Sequence, residues 1–165
     1  MQRLLDGASA LGLRLTLDQQ ASFALYYEEL VAWNQKFNLT AITEYEQVQI
    51  RHFLDSLSCL LAQEARQALS QPDACMIDVG SGAGFPGIPL KLVCANAQLT
   101  LLEAKATRTP RPEMGKSPTR LASAIRGYQV KAFLVHSGAG RRADPTALCA
   151  GVKAVGLTRL DKTVA

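Results

Sequence analysis

Between Cys75 and Gly87 the chain reads Cys-Met-Ile-Asp-Val-Gly-Ser-Gly-Ala-Gly-Phe-Pro-Gly. Small and apolar residues run into Asp78, and glycine then recurs at 80, 82, 84 and 87. This spacing predicts a buried strand, a tight turn and a helix starting near Phe85–Pro86. Glycine accepts positive φ and has no Cβ, so backbone can approach a ligand closely. The free N–H groups of the helix start are expected to face that ligand. The chemistry expected here is the holding of a nucleotide-type cofactor, with Asp78, Gly80, Ser81, Gly82, Gly84 and Phe85 around the turn. Glu103, at the end of the next apolar run, is placed to take ribose hydroxyls.

Two cofactors compete for such a turn. Gly82-x-Gly84-x-x-Gly87 has the form of the dinucleotide fingerprint, with Glu103 near the expected distance downstream. Asp78-x-Gly80-x-Gly82-x-Gly84 has equally the form of the first motif of S-adenosylmethionine-dependent methyltransferases. A dinucleotide presents an anionic pyrophosphate to the helix N-terminus, whereas S-adenosylmethionine presents a neutral ribose and a zwitterionic amino acid. An acid at Asp78, immediately before the turn, favours a ligand that carries an ammonium. The turn by itself leans towards the methyl donor and leaves both open.

Several elements must position it. Leu4, Leu5, Ala8 and Leu11 predict a short first helix, interrupted by Gly12. Thr16 and Gln19 form a capping box, so a second helix is expected from Leu17. Phe23, Tyr26, Tyr27, Leu30, Val31 and Phe37 recur along one face of it, as a core-facing stripe does. Thr43 and Glu46 read as another capping box, opening a helix that turns Val48, Phe53, Leu54, Leu57, Leu60 and Leu61 inward. On that helix Arg51 and Asp55 are spaced for a surface ion pair. A Gln/Ala/Ser-rich stretch, 63–73, leads into the first strand. Leu99–Leu102 is then a second, parallel strand, completing a βαβ unit.

Four blocks of this chain resemble the bacterial small-subunit rRNA methyltransferase G family, also called glucose-inhibited division protein B. They are Trp33-Asn34-x-Lys36-Phe37-Asn38-Leu39-Thr40, Arg51-His52-x-x-Asp55-Ser56-Leu57, Asp78 through Leu90, and Thr100-Leu101-Leu102-Glu103-Ala104. The resemblance implies an α/β chain, a Rossmann-like class I methyltransferase fold with an N-terminal helical extension. It implies S-adenosylmethionine as cofactor and methyl transfer to N7 of one guanine in 16S rRNA, with the small ribosomal subunit as partner. Gly80 and Phe85 match family positions that contact the cofactor, and Glu103 matches the acid that would hold the ribose. Asn38, Arg51, His52 and Asp55 match positions facing the same cleft and are the candidate catalytic residues. Guanine N7 carries an unprotonated lone pair, so the absence of an obvious acid–base dyad is consistent with this reaction.

The family pattern stops after residue 104. Residues 1–103 carry six basic against eleven acidic side chains, and 104–165 carry twelve against three. Pro110, Pro112 and Pro118 stand where a regular helix is expected. Later, Val130–Val135 is a strand candidate and Ala147–Val155 an apolar helix or strand. The chain therefore divides into a helical cap (1–72), a strand–turn–helix–strand cofactor-binding half (73–104) and a divergent basic tail (105–165). The fold is expected to be incomplete or altered after the second strand, with the tail read as a changed reading frame or rearranged 3′ end. A catalytically incompetent remnant, with a weak cofactor half-site or non-specific RNA binding, is the alternative function; a nicotinamide-dependent oxidoreductase is a distant third.

Composition bounds the rest. A chain of 165 residues with 48% hydrophobic and 19% charged residues suits one globular domain. No apolar run reaches the roughly 20 residues of a membrane span, and residues 1–7 lack a signal-peptide core, so a cytoplasmic protein is expected; a monomer is expected as a separate matter. Cys59, Cys75, Cys94 and Cys149 are scattered, which predicts reduced, mostly buried thiols and no metal site.

Overall fold

The structure, a computed structural model, describes residues 1–103 and the strand 130–134. The proline cluster, the apolar stretch 147–155 and Cys149 lie outside the described residues. Helix α1 (Gln2–Ala10) ends before Gly12, and α2 (Leu17–Phe37) starts where the capping box places it. The Thr16 hydroxyl accepts from Gln19 N, and the Gln19 side chain accepts from Thr16 N. Asn38 closes α2 in the left-handed conformation, with φ of 48°.

The next helix departs from expectation at its start. Glu44, not Thr43, caps α3 (Tyr45–Val48), its carboxylate accepting from Glu46 N and Gln47 N. Two acceptor oxygens beside a helix N-terminus satisfy two orphan donors, where a threonine hydroxyl satisfies one. The segment then widens into a π-helical turn (Gln49–Leu54), returns to α4 (Asp55–Leu57) and tightens into a 3₁₀ turn (Ser58–Leu61). Val48, Phe53, Leu57 and Leu60 face inward as expected, but Leu61 is exposed. Arg51 donates to Gln47, one turn back, instead of pairing with Asp55. Both partners are exposed, where an ion pair gains little over a neutral acceptor. The stretch leading to the sheet is itself helical, α5 (Gln63–Leu69), anchored by buried Ala65 and Leu69.

Strand β1 (Cys75–Val79), helix α6 (Gly87–Val93) and strand β2 (Gln98–Glu103) form the βαβ unit. Beyond it, β3 (Val130–Leu134) pairs parallel with β2, so the sheet continues past its second strand in the order β1-β2-β3. The central strand β2 is buried on both faces, Leu99 and Leu101 on one and Thr100 on the other. Cys75 of β1 stands opposite Gln98 and Val79 opposite Leu102.

One core runs through cap and sheet without a break, from Leu4, Phe23 and Phe53 to Ile88, Leu92 and Leu101. Polar contacts fasten the same joint. The Gln19 amide, already part of the α2 cap, donates to Leu92 O (3.1 Å) and Val93 O (3.4 Å) at the end of α6. Buried Lys91 donates to Ala95 O and Ala97 O and so pins the turn from α6 into β2. Gln49, also buried, accepts from Leu4 N and caps α1 across 45 residues of sequence. Substituting Gln19→Glu keeps the capping acceptor but turns an anion on the carbonyl end of α6. The expected loss is about 1–2 kcal/mol, read as a lower urea midpoint with unchanged slope.

Candidate cofactor site

β1 delivers Asp78 to the end of the strand, where only 9% of it is exposed. The turn that follows is held by its own backbone. Gly80 N and Ser81 N both donate to Leu102 O, at 2.7 and 3.2 Å, and Gly84 N donates to Ser81 O at 2.6 Å. The residue after Leu102 is Glu103, the end of β2, so the backbone sets Glu103 directly beside the turn.

The start of α6 is not the open donor array expected from the sequence. Gly87 N donates to Asp78 Oδ2 at 3.0 Å, Ile88 N to Gly84 O and Leu90 N to Pro86 O. Pro89 has no N–H to offer. A helix N-terminus binds phosphate through unpaired N–H groups, and here the first turn is already satisfied from within the loop.

Other features of the turn suit a ligand. Gly80 has φ of +75° and is exposed, and a Cβ added there would meet nothing within 4 Å. Ser81 Oγ is the opposite case, a buried hydroxyl without a hydrogen-bond partner among the described residues. A buried, unpaired polar atom costs stability, so its presence in a loop of this kind points to a role outside the fold's own bonding. An open Cβ-free surface, a carboxylate and an unused hydroxyl fit a ligand with a ribose and an ammonium. They offer no counter-charge for a pyrophosphate.

The cap reaches this loop through aromatic side chains. Tyr26, fully buried on α2, donates its hydroxyl to Ala83 O at 3.0 Å. Burial, reinforced by the Asp78 charge, pushes the Tyr26 phenol well up, so it stays a donor. His52, from the π-helical turn, stacks on Phe85 with ring centroids 4.5 Å apart and planes 18° apart. Its Nε2 lies 2.8 Å from Thr40 Oγ1, which also accepts from Ile42 N. Asn38, Arg51 and Asp55 are exposed, and no hydrogen bond or ring contact among the described residues joins them to the glycine turn. Of the four candidates in the cap, the structure thus brings His52 to the loop. Tyr26 and Thr40 are the participants that sequence reasoning did not single out. A tyrosine inside an apolar stripe was the available signal, because a buried phenol needs a partner.

Burial lowers the His52 pKa below its ordinary 6.5; the Arg51 carbonyl, the Asp55 carboxylate and the Ile42 carbonyl pull the other way. Between the lowered value and 6.5 the unfolded chain takes up a proton that the folded chain refuses. Stability from this group is therefore complete above about pH 6.5 and is lost as pH falls towards the folded value. The melting temperature should fall on acidification, with a smaller fall in His52→Gln; equal slopes in the two proteins would remove His52 as the cause.

Among the described residues, no three His, Cys, Asp or Glu side chains are grouped to hold a metal ion, and no helix is long and apolar enough to cross a membrane. Cys59, Cys75 and Cys94 are free thiols and half-buried, less buried than expected.

Comparison with known proteins bears on the same residues. The sequence model of the GidB family, described as rRNA small subunit methyltransferase G, matches residues 19–110. A protein named ribosomal RNA small subunit methyltransferase G from Dehalococcoides mccartyi is 53% identical over 104 residues, covering 63% of this chain and 42% of the relative. Proteins of the same name from Roseiflexus sp. and Alkaliphilus metalliredigens are 50% and 48% identical, over 63% and 61% of the chain and 42% and 40% of their own lengths. The chain thus spans about 42% of the length of such relatives. With α2 from Gln19 onward, the His52 turn, the whole glycine loop and β2 inside a match that covers more than half of its residues, this chain belongs to the rRNA small subunit methyltransferase G family.

Proposed function

We propose that the turn from Asp78 to Gly87 holds S-adenosylmethionine and that the chain descends from an enzyme methylating N7 of a guanine in 16S rRNA. One observation carries the choice of cofactor: the N–H groups at the start of α6 are spent on Asp78, Gly84 and Pro86, leaving that helix start without a phosphate cradle. Asp78, Gly80, Ser81, Gly82, Gly84 and Phe85 would hold the methionine and adenosine portions, with Glu103 on the ribose. When bound, the cofactor supplies a methyl group already activated on a sulfonium.

Guanine N7 needs no proton removed, so the chain's task is to align and to exclude water. Buried Tyr26 and Phe53, with the half-buried Phe85 of the loop packed on them, form an apolar wall that suits water exclusion. Asn38, Arg51, His52 and Asp55 are proposed to face the RNA-side cleft, as their family positions do. The division into cap (1–72), cofactor half (73–104) and divergent tail (105–165), the Rossmann-like class I fold and a monomeric cytoplasmic protein acting on the small subunit belong to the same proposal.

A second reading is a remnant that keeps a weak cofactor half-site without turnover. The observation in its favour is that the family match ends at residue 110 although the sequence continues to 165. Calorimetric titration of the full chain with S-adenosylmethionine and with NADH tests the cofactor. Uptake of the first alone is expected, and uptake of NADH alone would overturn the proposal. Primer extension through the 16S target guanine, in cells lacking the native enzyme, then separates enzyme from remnant.

A further inference from the structure

His52 stands on the cap, yet its strongest described contacts are with Thr40 and with the glycine loop. Three independent features hold the ring in one place. Thr40 Oγ1 bonds Nε2 at 2.8 Å, and Thr40 is itself fixed by Ile42 N and by Asn34 Oδ1, which accepts from Thr40 N at 2.8 Å. The backbone carbonyl of His52 accepts from Ser56 Oγ. The π-helical turn that carries His52 is the only one among the described residues, and such single turns occur frequently at functional sites.

The ring's face is then spent on Phe85, whose own ring also touches Tyr26 (5.4 Å) and Phe53 (6.2 Å). Phe85 lies between Gly84 and Pro86, so fixing its ring fixes the corner where the turn becomes α6. The charged groups near the ring are Arg51 and Asp55, both exposed and both on its own segment. The Thr40–Ile42 segment and the loop from Gly80 to Gly87 contribute no charged side chain.

We propose that His52 is a positioning residue that latches the cofactor loop to the cap, stacking on Phe85 while Thr40 holds the imidazole in plane. It presets the Gly84–Gly87 corner and is not itself required to touch the reacting groups. The inference rests on the cofactor reading only for its consequence; the latch itself is a property of the free chain.

Amide hydrogen exchange on the full, cofactor-free chain tests it. In His52→Ala the Gly84, Gly87 and Ile88 amides should exchange about threefold to tenfold faster, as loss of one aromatic pair implies. The amides of Arg66 and Gln98, bonded outside the loop, should keep their rates. His52→Phe, which retains a ring face, should restore loop protection, whereas His52→Gln, which retains only a polar reach to Thr40, should not. Unchanged loop rates in His52→Ala, or an equal acceleration at Arg66 and Gln98, would overturn the latch. Titration with S-adenosylmethionine is a separate arm, expected to show about threefold to tenfold weaker binding for His52→Ala. No uptake by the unsubstituted chain would overturn the cofactor reading, and the exchange rates would still decide the latch. Equal affinity in both chains, together with unchanged loop exchange, would overturn the latch alone.

Discussion

Gly84→Ala is expected to destabilise the chain by about 2–5 kcal/mol, combining backbone strain with overpacking. Gly84 has φ of +100°, and a Cβ there would collide with Ile88 Cδ1 and come within 3.0 Å of the Tyr26 hydroxyl. The methyl group would push Tyr26 away from Ala83 and so break the bond between cap and loop. Gly80→Ala is the informative contrast. Its φ of +75° also penalises alanine, but the added Cβ meets nothing, so about 1–2 kcal/mol is the expected cost. On the proposed cofactor reading, that methyl would stand on the face by which the ligand approaches. Urea unfolding and cofactor titration should therefore separate the pair: Gly84→Ala loses mainly stability, and Gly80→Ala loses mainly binding. Equal stability losses would mean that the space around the two glycines does not differ as described.

Phe53→Ala is expected to have an effect of similar or greater size. Phe53 is fully buried, with Phe23 at 5.0 Å and Tyr26 at 5.3 Å between ring centroids. Truncating a buried phenylalanine typically costs about 3–5 kcal/mol, because the cavity left behind only partly collapses. Against a total stability of about 5–15 kcal/mol, that loss leaves a substantial unfolded population at moderate temperature. The cavity also opens beneath Phe85, so cofactor affinity should drop in step with stability. A thermal melt of Phe53→Ala coinciding with that of the unsubstituted chain would refute the described core.

The parts legible from sequence are those set by local chemistry. Thr16 and Gln19 announce the start of α2 because a capping box needs only four neighbouring residues. Asp78 and the glycines announce the turn for the same reason, and the strand candidate Val130–Val135, read from its apolar run, contains β3. Thr43-Glu44-x-Glu46 offered two local caps, and the carboxylate won over the hydroxyl by satisfying a second donor. What escaped was non-local. Tyr26 and Ala83 are 57 residues apart, and no periodicity in α2 says which carbonyl its phenol will find. The π-helical turn carries the same residues that an α-helix would, so the contact between His52 and Phe85 appears only once the backbone is drawn. The donors expected free at the start of α6 were lost to Gly84, Pro86 and Asp78, the last a residue whose own position the sequence had marked for a ligand.

The unbroken core has a consequence for how this chain can gain or lose structure. Cap and sheet share Phe53, Tyr26, Ile88 and Leu92, and Gln19 bonds across the joint, so neither part has a surface on which to stand alone. Melting should be a single cooperative event for the two together. Trp33, the sole tryptophan, stacks on Phe37 near the end of α2 and packs against the shared core, so its fluorescence reports on the melting of that core. Any small molecule that settles on the glycine turn must tighten the cap by linkage, and a fluorescence melt of one indole would register it.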